Sequence, residues 1–134
     1  MIYKKTSIYL IAFFIISTSC FNDDYNHLEY NIFDDETVEI HTFNSVELTP
    51  NGLFHKNIKV YFSSIYEDLP AVQKERITDH ILTYNGATYN IPLNQSFFVR
   101  NNIEIGTTVC FELAFKLLDD IKSKNSEPYC VLVN

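Results

Sequence analysis

Asn85-Gly86, set between Thr83-Tyr84 and the run Ala87, Thr88, Tyr89, Asn90, Ile91, commits the middle of this chain to antiparallel β-structure. A two-residue type I′ hairpin holds both central residues at positive φ, which Asn and Gly tolerate and β-branched residues do not. Period-two alternation continues on both sides of that turn. Val38, Ile40, Thr42, Val46 and Leu48 alternate with polar neighbours, predicting a first strand over residues 37–49 with a break at Asn44, stopped by Pro50-Asn51-Gly52. Ile58, Val60 and Phe62 share one face of a second strand, with Lys59, Tyr61 and Ser63 on the other. Residues 64–76 are polar and broken by Pro70, so they read as a long loop with at most one helical turn at Ala71–Glu75. Strand character resumes at residues 77–84, crosses the hairpin, and returns at residues 97–100, after which Asn101-Asn102 is expected to turn the chain. Val109, Phe111, Leu113 and Phe115 then alternate with Cys110, Glu112, Ala114 and Lys116, and residues 128–133 close the series. Seven short strands separated by turn signals predict a single all-β sandwich over residues 37–134, a length sufficient for one core.

The first nineteen residues are an address and not part of that fold. Lys4 and Lys5 precede the apolar run Ile8–Ile16, and the small residues Ser17, Thr18 and Ser19 lead to Cys20. The uncharged stretch is shorter than the roughly 20 apolar residues a membrane span needs, which leaves an uncleaved anchor as the alternative. This segment resembles a bacterial lipoprotein signal peptide, in which small residues precede a cysteine that is lipidated and becomes the new N-terminus; Ser17 stands where that family usually has an aliphatic residue. The resemblance implies that Cys20 carries the lipid and holds the protein to a membrane. Each buried acyl methylene contributes about 0.8 kcal/mol, and stable anchoring takes more than one chain. An ordinary secreted protein is the competing reading, and it would leave an odd cysteine. With Cys20 assigned to lipid, Cys110 and Cys130 remain as an even pair, to be bridged in an oxidising compartment or kept as two buried thiols.

Residues 20–36 form an acidic tether. Between Cys20 and Glu39 there are seven acidic residues and no Lys or Arg, so this stretch carries −7 of the −9 net charge left once Lys4 and Lys5 are removed. Like charges keep such a leash extended, and residues 21–36 could span roughly 50 Å at about 3.3 Å per residue. Asp23 and Asp24, close behind the cysteine, are similar to the surface-export signal of lipoproteins in the Bacteroidetes. That resemblance implies the outer leaflet of the outer membrane, with the periplasmic face as the alternative.

The segments Gly106–Asp120 and Ser126–Val133 resemble the last two strands of a fibronectin type III domain, on Gly106, Thr107, Val109, Phe111, Leu113, Ser126 and Pro128. The likeness extends to Ile58, Val60 and Phe62 as a second strand and to residues 77–86 as a third. Val109 stands where the family's corner tyrosine usually sits, and Phe62 where its core tryptophan does. The resemblance implies an immunoglobulin-like sandwich of seven strands whose last two are neighbours, and hence a cross-strand link between Cys110 and Cys130. It also implies that the loops at residues 64–76 and 117–127 share one end. Tyr66, Leu69, Leu118 and Ile121 are then candidate partner-binding anchors, or else pack back beneath their loops.

Nothing in the sequence announces chemistry. There is no nucleophile elbow, phosphate loop or HExxH, and the three glycines all fall at predicted turns. His27, His41, His55 and His80 are scattered over the tether and separate elements, without metal-ligand spacing. No catalytic residue, metal or cofactor is expected, and the acidic balance with no basic stripe opposes nucleic-acid binding. The reading is a non-enzymatic, lipid-anchored envelope module for binding, adhesion or complex assembly, its partner an envelope protein or a surface glycan. A small envelope hydrolase and a purely structural accessory subunit of an outer-membrane complex are the alternatives.

Overall fold

Alternation sets the architecture. In the computed structural model, which describes residue 33 and residues 38–134, seven strands form: β1 (His41–Pro50), β2 (His55–Ser64), β3 (Ile77–Tyr84), β4 (Ala87–Pro92), β5 (Phe97–Glu104), β6 (Thr108–Leu117) and β7 (Tyr129–Leu132). They make two antiparallel sheets, one of order β1-β2-β5 and one of order β4-β3-β6-β7. The signal segment, Cys20, Asp23 and Asp24 lie outside the described residues.

The core lies between the sheets and is built from every second residue, because successive side chains in a strand point to opposite faces. One sheet contributes Ile58, Val60 and Phe62 from β2 with Phe98 and Ile103 from β5. The other contributes Leu82 and Tyr84 from β3, Ile91 from β4, and Val109, Phe111 and Leu113 from β6. Phe111 sits at the middle, its ring centroid 5.4 Å from Tyr84 and 6.4 Å from both Phe43 and Phe98. Burying a ring of this size stabilises by about 1.5–3 kcal/mol. Phe62 and Val109 occupy interior positions, as their place in the alternation requires.

Local chemistry explains the turns and the departures from simple alternation. Asn85 and Gly86 take φ of 48° and 78° and join β3 to β4 in unbroken register from Tyr84↔Ala87 to Asp79↔Pro92. Asn44 falls at a register shift between Phe43 and Ser45, a bulge that divides β1 into two parts. The first strand begins at His41, not at residue 37. Asn101-Asn102 does not end its strand. β5 runs on to Glu104, with Asn102 at φ 62° opposite a register shift in β2, and the Asn102 amide donates to Asn57 Oδ1 at 3.1 Å. The side chain of Asn57 thus replaces the ladder bond that the left-handed residue withdraws. Residues 64–76 carry two short turns: a 3₁₀ turn, Ile65–Asp68, with the Ser64 hydroxyl accepting from the Tyr66 amide, and the single α-turn α1, Ala71–Lys74.

The packed unit starts earlier than the acidic composition implied. Phe33, assigned by composition to the tether, is fully buried with its ring edge-on to Phe115 at 6.0 Å, and its carbonyl accepts from the Lys124 amide. At the other end of the chain, Cys110 and Cys130 are direct partners in the β6–β7 register and are joined by a disulfide across the outer face of the four-stranded sheet.

Candidate functional site

Strand direction assigns the loops to two ends. At the leading end, where β1 begins, lie the segment Ser64–Arg76, the β4–β5 connection and the long β6–β7 loop; the Leu118 amide donates to the Arg76 carbonyl at 2.8 Å. The loops at residues 64–76 and 117–127 therefore do share an end. At the opposite end lie the β1–β2 hairpin tip, Asn85-Gly86 and the β5–β6 turn, where the Ile105 amide donates to the Phe54 carbonyl at 2.9 Å. A ten-residue strand separates the two ends by roughly 30 Å.

The four candidate anchors divide. Leu69 is buried beneath its loop, and Tyr66 is half-buried, 6.4 Å from the Phe115 ring with the Lys74 ammonium 5.5 Å over its face. Those two are satellites of the core. Leu118 and Ile121 remain 51% and 55% exposed on the β6–β7 loop. Among the described residues the most exposed large apolar pair lies elsewhere, at the hairpin tip: Leu53 is 87% and Phe54 70% exposed, with Ile105 beside them. The sequence does carry a signal for this pair. Leu53 and Phe54 follow the Asn51-Gly52 turn and precede the alternating part of β2, so no inward strand position is assigned to either.

The outer face of the β1-β2-β5 sheet is mixed. Lys59 lies over the rings of Tyr61 and Phe97 at 4.8 and 4.4 Å, and Tyr61 donates to Glu47 at 3.3 Å. A depression of about 250 Å³ runs beside them, lined by Glu47, Thr49, Asn57, Lys59, Val99 and Asn101 among others.

Two of the four histidines, scattered in sequence, meet in the interior. His41 is the first residue of β1 and His80 lies in β3, both within 2% of full burial, with His41 Nε2 3.0 Å from His80 Nδ1 across the gap between the sheets. Aromatic rings surround them: Phe115 is 4.3 Å from His41 and 5.4 Å from His80, and Phe62 is 5.3 Å from His80. Burial first, and the neighbouring His80 second, push the His41 pKa down to about 3. Burial also lowers that of His80, against a hydrogen bond to the Leu93 backbone and the charge of Asp79, which both raise it. His80 shares the phase of Leu82 and Tyr84 in β3, whereas His41 falls on the polar phase of the alternation in residues 37–49 and is brought inward by the bulge at Asn44; the pairing further depends on which strands face each other. Among the described residues no three His, Cys, Asp or Glu side chains gather as metal ligands. No protein-family model matches the chain, and no curated protein matches it.

Proposed function

We propose that this chain is a lipid-anchored cell-envelope protein, tethered through Cys20, whose sandwich is a non-enzymatic module for binding, adhesion or complex assembly. The observation that carries the reading is the hairpin tip. Leu53 and Phe54 stand almost free of the domain, at the end opposite to where the chain enters β1. An aromatic and an aliphatic side chain presented together supply the desolvated centre that interfaces are built around. The strand order β1-β2-β5 facing β4-β3-β6-β7, with its last two strands adjacent, supports placing the sandwich with the fibronectin type III-like kind. The apolar signal followed by Cys20, and the acidic residues Asp23 and Asp24 behind it, support an outer-membrane location with the domain displayed at the surface.

A photo-crosslinking residue placed at position 54 in intact cells, with the same residue at exposed Thr88 as control, tests the role of the tip. A discrete adduct from position 54 and none from position 88 is expected; equal yields from both would refute the tip as the binding end. Protease shaving of intact cells carrying a C-terminal epitope, beside lysed cells and a Cys20→Ala strain, tests the location. Loss of epitope from intact cells is expected, and protection until lysis would move the module to the periplasm.

A further inference from the structure

The histidine pair has a hydrogen-bond order that leaves no place for an added proton. His80 bonds the Leu93 backbone, and because its Nδ1 faces His41, the nitrogen that donates to the Leu93 carbonyl is Nε2. The network then assigns the tautomers. His80 Nδ1 is a lone pair, it accepts from His41 Nε2–H, and His41 Nδ1 is a second lone pair that no donor reaches. A first added proton would sit on His41 Nδ1, buried with no acceptor. A second, on His80 Nδ1, would set N–H against N–H at 3.0 Å.

The carboxylates nearby do not relieve this. Asp79 precedes His80 on β3, with its side chain on the opposite face of the strand; Glu39 and Glu127 edge the depression beside His41, together with Tyr129; Glu67 and Tyr66 edge the one beside His80. From β2 and β6 the pair meets Phe62 and Phe115. None of these groups hydrogen-bonds either imidazole in the described residues.

The part of the chain held by the pair lies ahead of a break in the β1 ladder. The bulge at Asn44 sets residues 41–43 apart from the rest of β1, and that stretch is held by its pairing with Phe62, Ser63 and Ser64 of β2, by Phe43 stacked on Tyr129 at 5.0 Å, by the histidine pair, by the Ile65 amide donating to the Ile40 carbonyl at 3.2 Å, and by the packing of His41 on Phe115. We propose that the pair is an acid-released latch: at neutral pH it clasps the leading segment, residues 38–43, to the face of β3 and β6, and protonation lets that segment go. Release would uncover Phe62 and Phe115 at the leading end.

The sign follows from proton counts. The closed pair binds none, whereas freed imidazoles take protons below about pH 6.5, so the opening constant rises about tenfold per pH unit for each histidine as pH falls. Hydrogen exchange on the full chain in mild detergent reads this through the Ile65 amide, with Leu82 in the central strand β3 as reference. Near pH 5.5 the Ile65 amide is expected to be at least a hundredfold less protected than Leu82, with protection falling about tenfold or more per unit. The slope should shrink in His41→Phe and vanish in His41→Phe/His80→Phe. Equal protection of Ile65 and Leu82 would show that the pair acts only in global unfolding, and an unchanged slope in the variants would show that other groups carry it; either overturns the latch. A measurement on the unaltered chain guards against misfolding of the variants. The imidazole carbon-bound proton signals should stay those of neutral rings while Ile65 is protected, and an ordinary midpoint near about 6.5 with Ile65 still protected would also overturn it.

Discussion

Removing the Cys110–Cys130 bridge, through Cys110→Ala/Cys130→Ala, is expected to cost about 3 kcal/mol. The two residues are 20 apart in sequence. A loop of about that length loses close to 11 cal/mol/K of closure entropy, or about 3.3 kcal/mol at 25 °C. The folded state should change little, because β7 has other holds: Val133 is fully buried, its carbonyl accepts from Gly106 at 2.7 Å and its amide donates to Thr107 at 2.9 Å. The cost therefore falls on the unfolded chain, which becomes freer. Urea unfolding of the bridged protein and the double variant measures it, and two signatures are expected together. The midpoint should fall while the slope m rises, since an uncrosslinked unfolded chain exposes more surface. In thermal melts, 3 kcal/mol corresponds to a drop of roughly 12–25 °C for a domain of about 100 residues. A loss under about 1 kcal/mol with unchanged m would refute the loop-entropy account and mean that residues 110–130 stay together in the unfolded chain without the bridge.

Phe33→Ala should cost about 3–5 kcal/mol in the same unfolding assay, as for a core ring, whereas a tether residue would cost nothing measurable. Between about pH 6.5 and pH 4, the unfolded chain binds the proton that His41, held near 3, refuses in the fold, so stability should fall by about 1.4 kcal/mol per unit as pH drops; equal urea midpoints at pH 7 and 5.5 would contradict this. Gly86→Ala has open space for its Cβ but must adopt φ of 78°, and should lower stability by about 1–2 kcal/mol; no change would mean the turn had reformed in another type. Leu53→Ser/Phe54→Ser should leave stability within about 0.5 kcal/mol while abolishing the adduct to a crosslinker carried at Ile105; a larger loss would show that the tip packs on the domain.

The parts of the fold that were legible in the sequence are those decided within a few residues. Asn85-Gly86 specifies its own turn, and Ile58, Val60, Phe62 and Val109, Phe111, Leu113, Phe115 specify their own faces, because period two needs no knowledge of the partner sheet. What was hidden depends on contacts distant in the chain. Asn101-Asn102 has turn composition, yet the strand survives because Asn57, 45 positions earlier, supplies an acceptor for the displaced amide. Phe33 lies among carboxylates, and only the arrival of Phe115 shows it to be core. Of the candidate anchors, Leu69 and Leu118 look alike in sequence; one turns under its loop and the other stays in solvent. The histidines illustrate the same limit, since residues 39 positions apart become a pair only when β1 and β3 face each other.

The placement of the hairpin tip has a mechanical consequence. A load applied between the start of β1 and anything held at Leu53 and Phe54 would travel along β1, which is already extended over His41–Pro50 and has little slack to release. Tension would run parallel to the β1–β2 ladder, so its bonds would be loaded together in shear and not opened one at a time, with Phe43, Val46 and Leu48 anchoring the strand to the core.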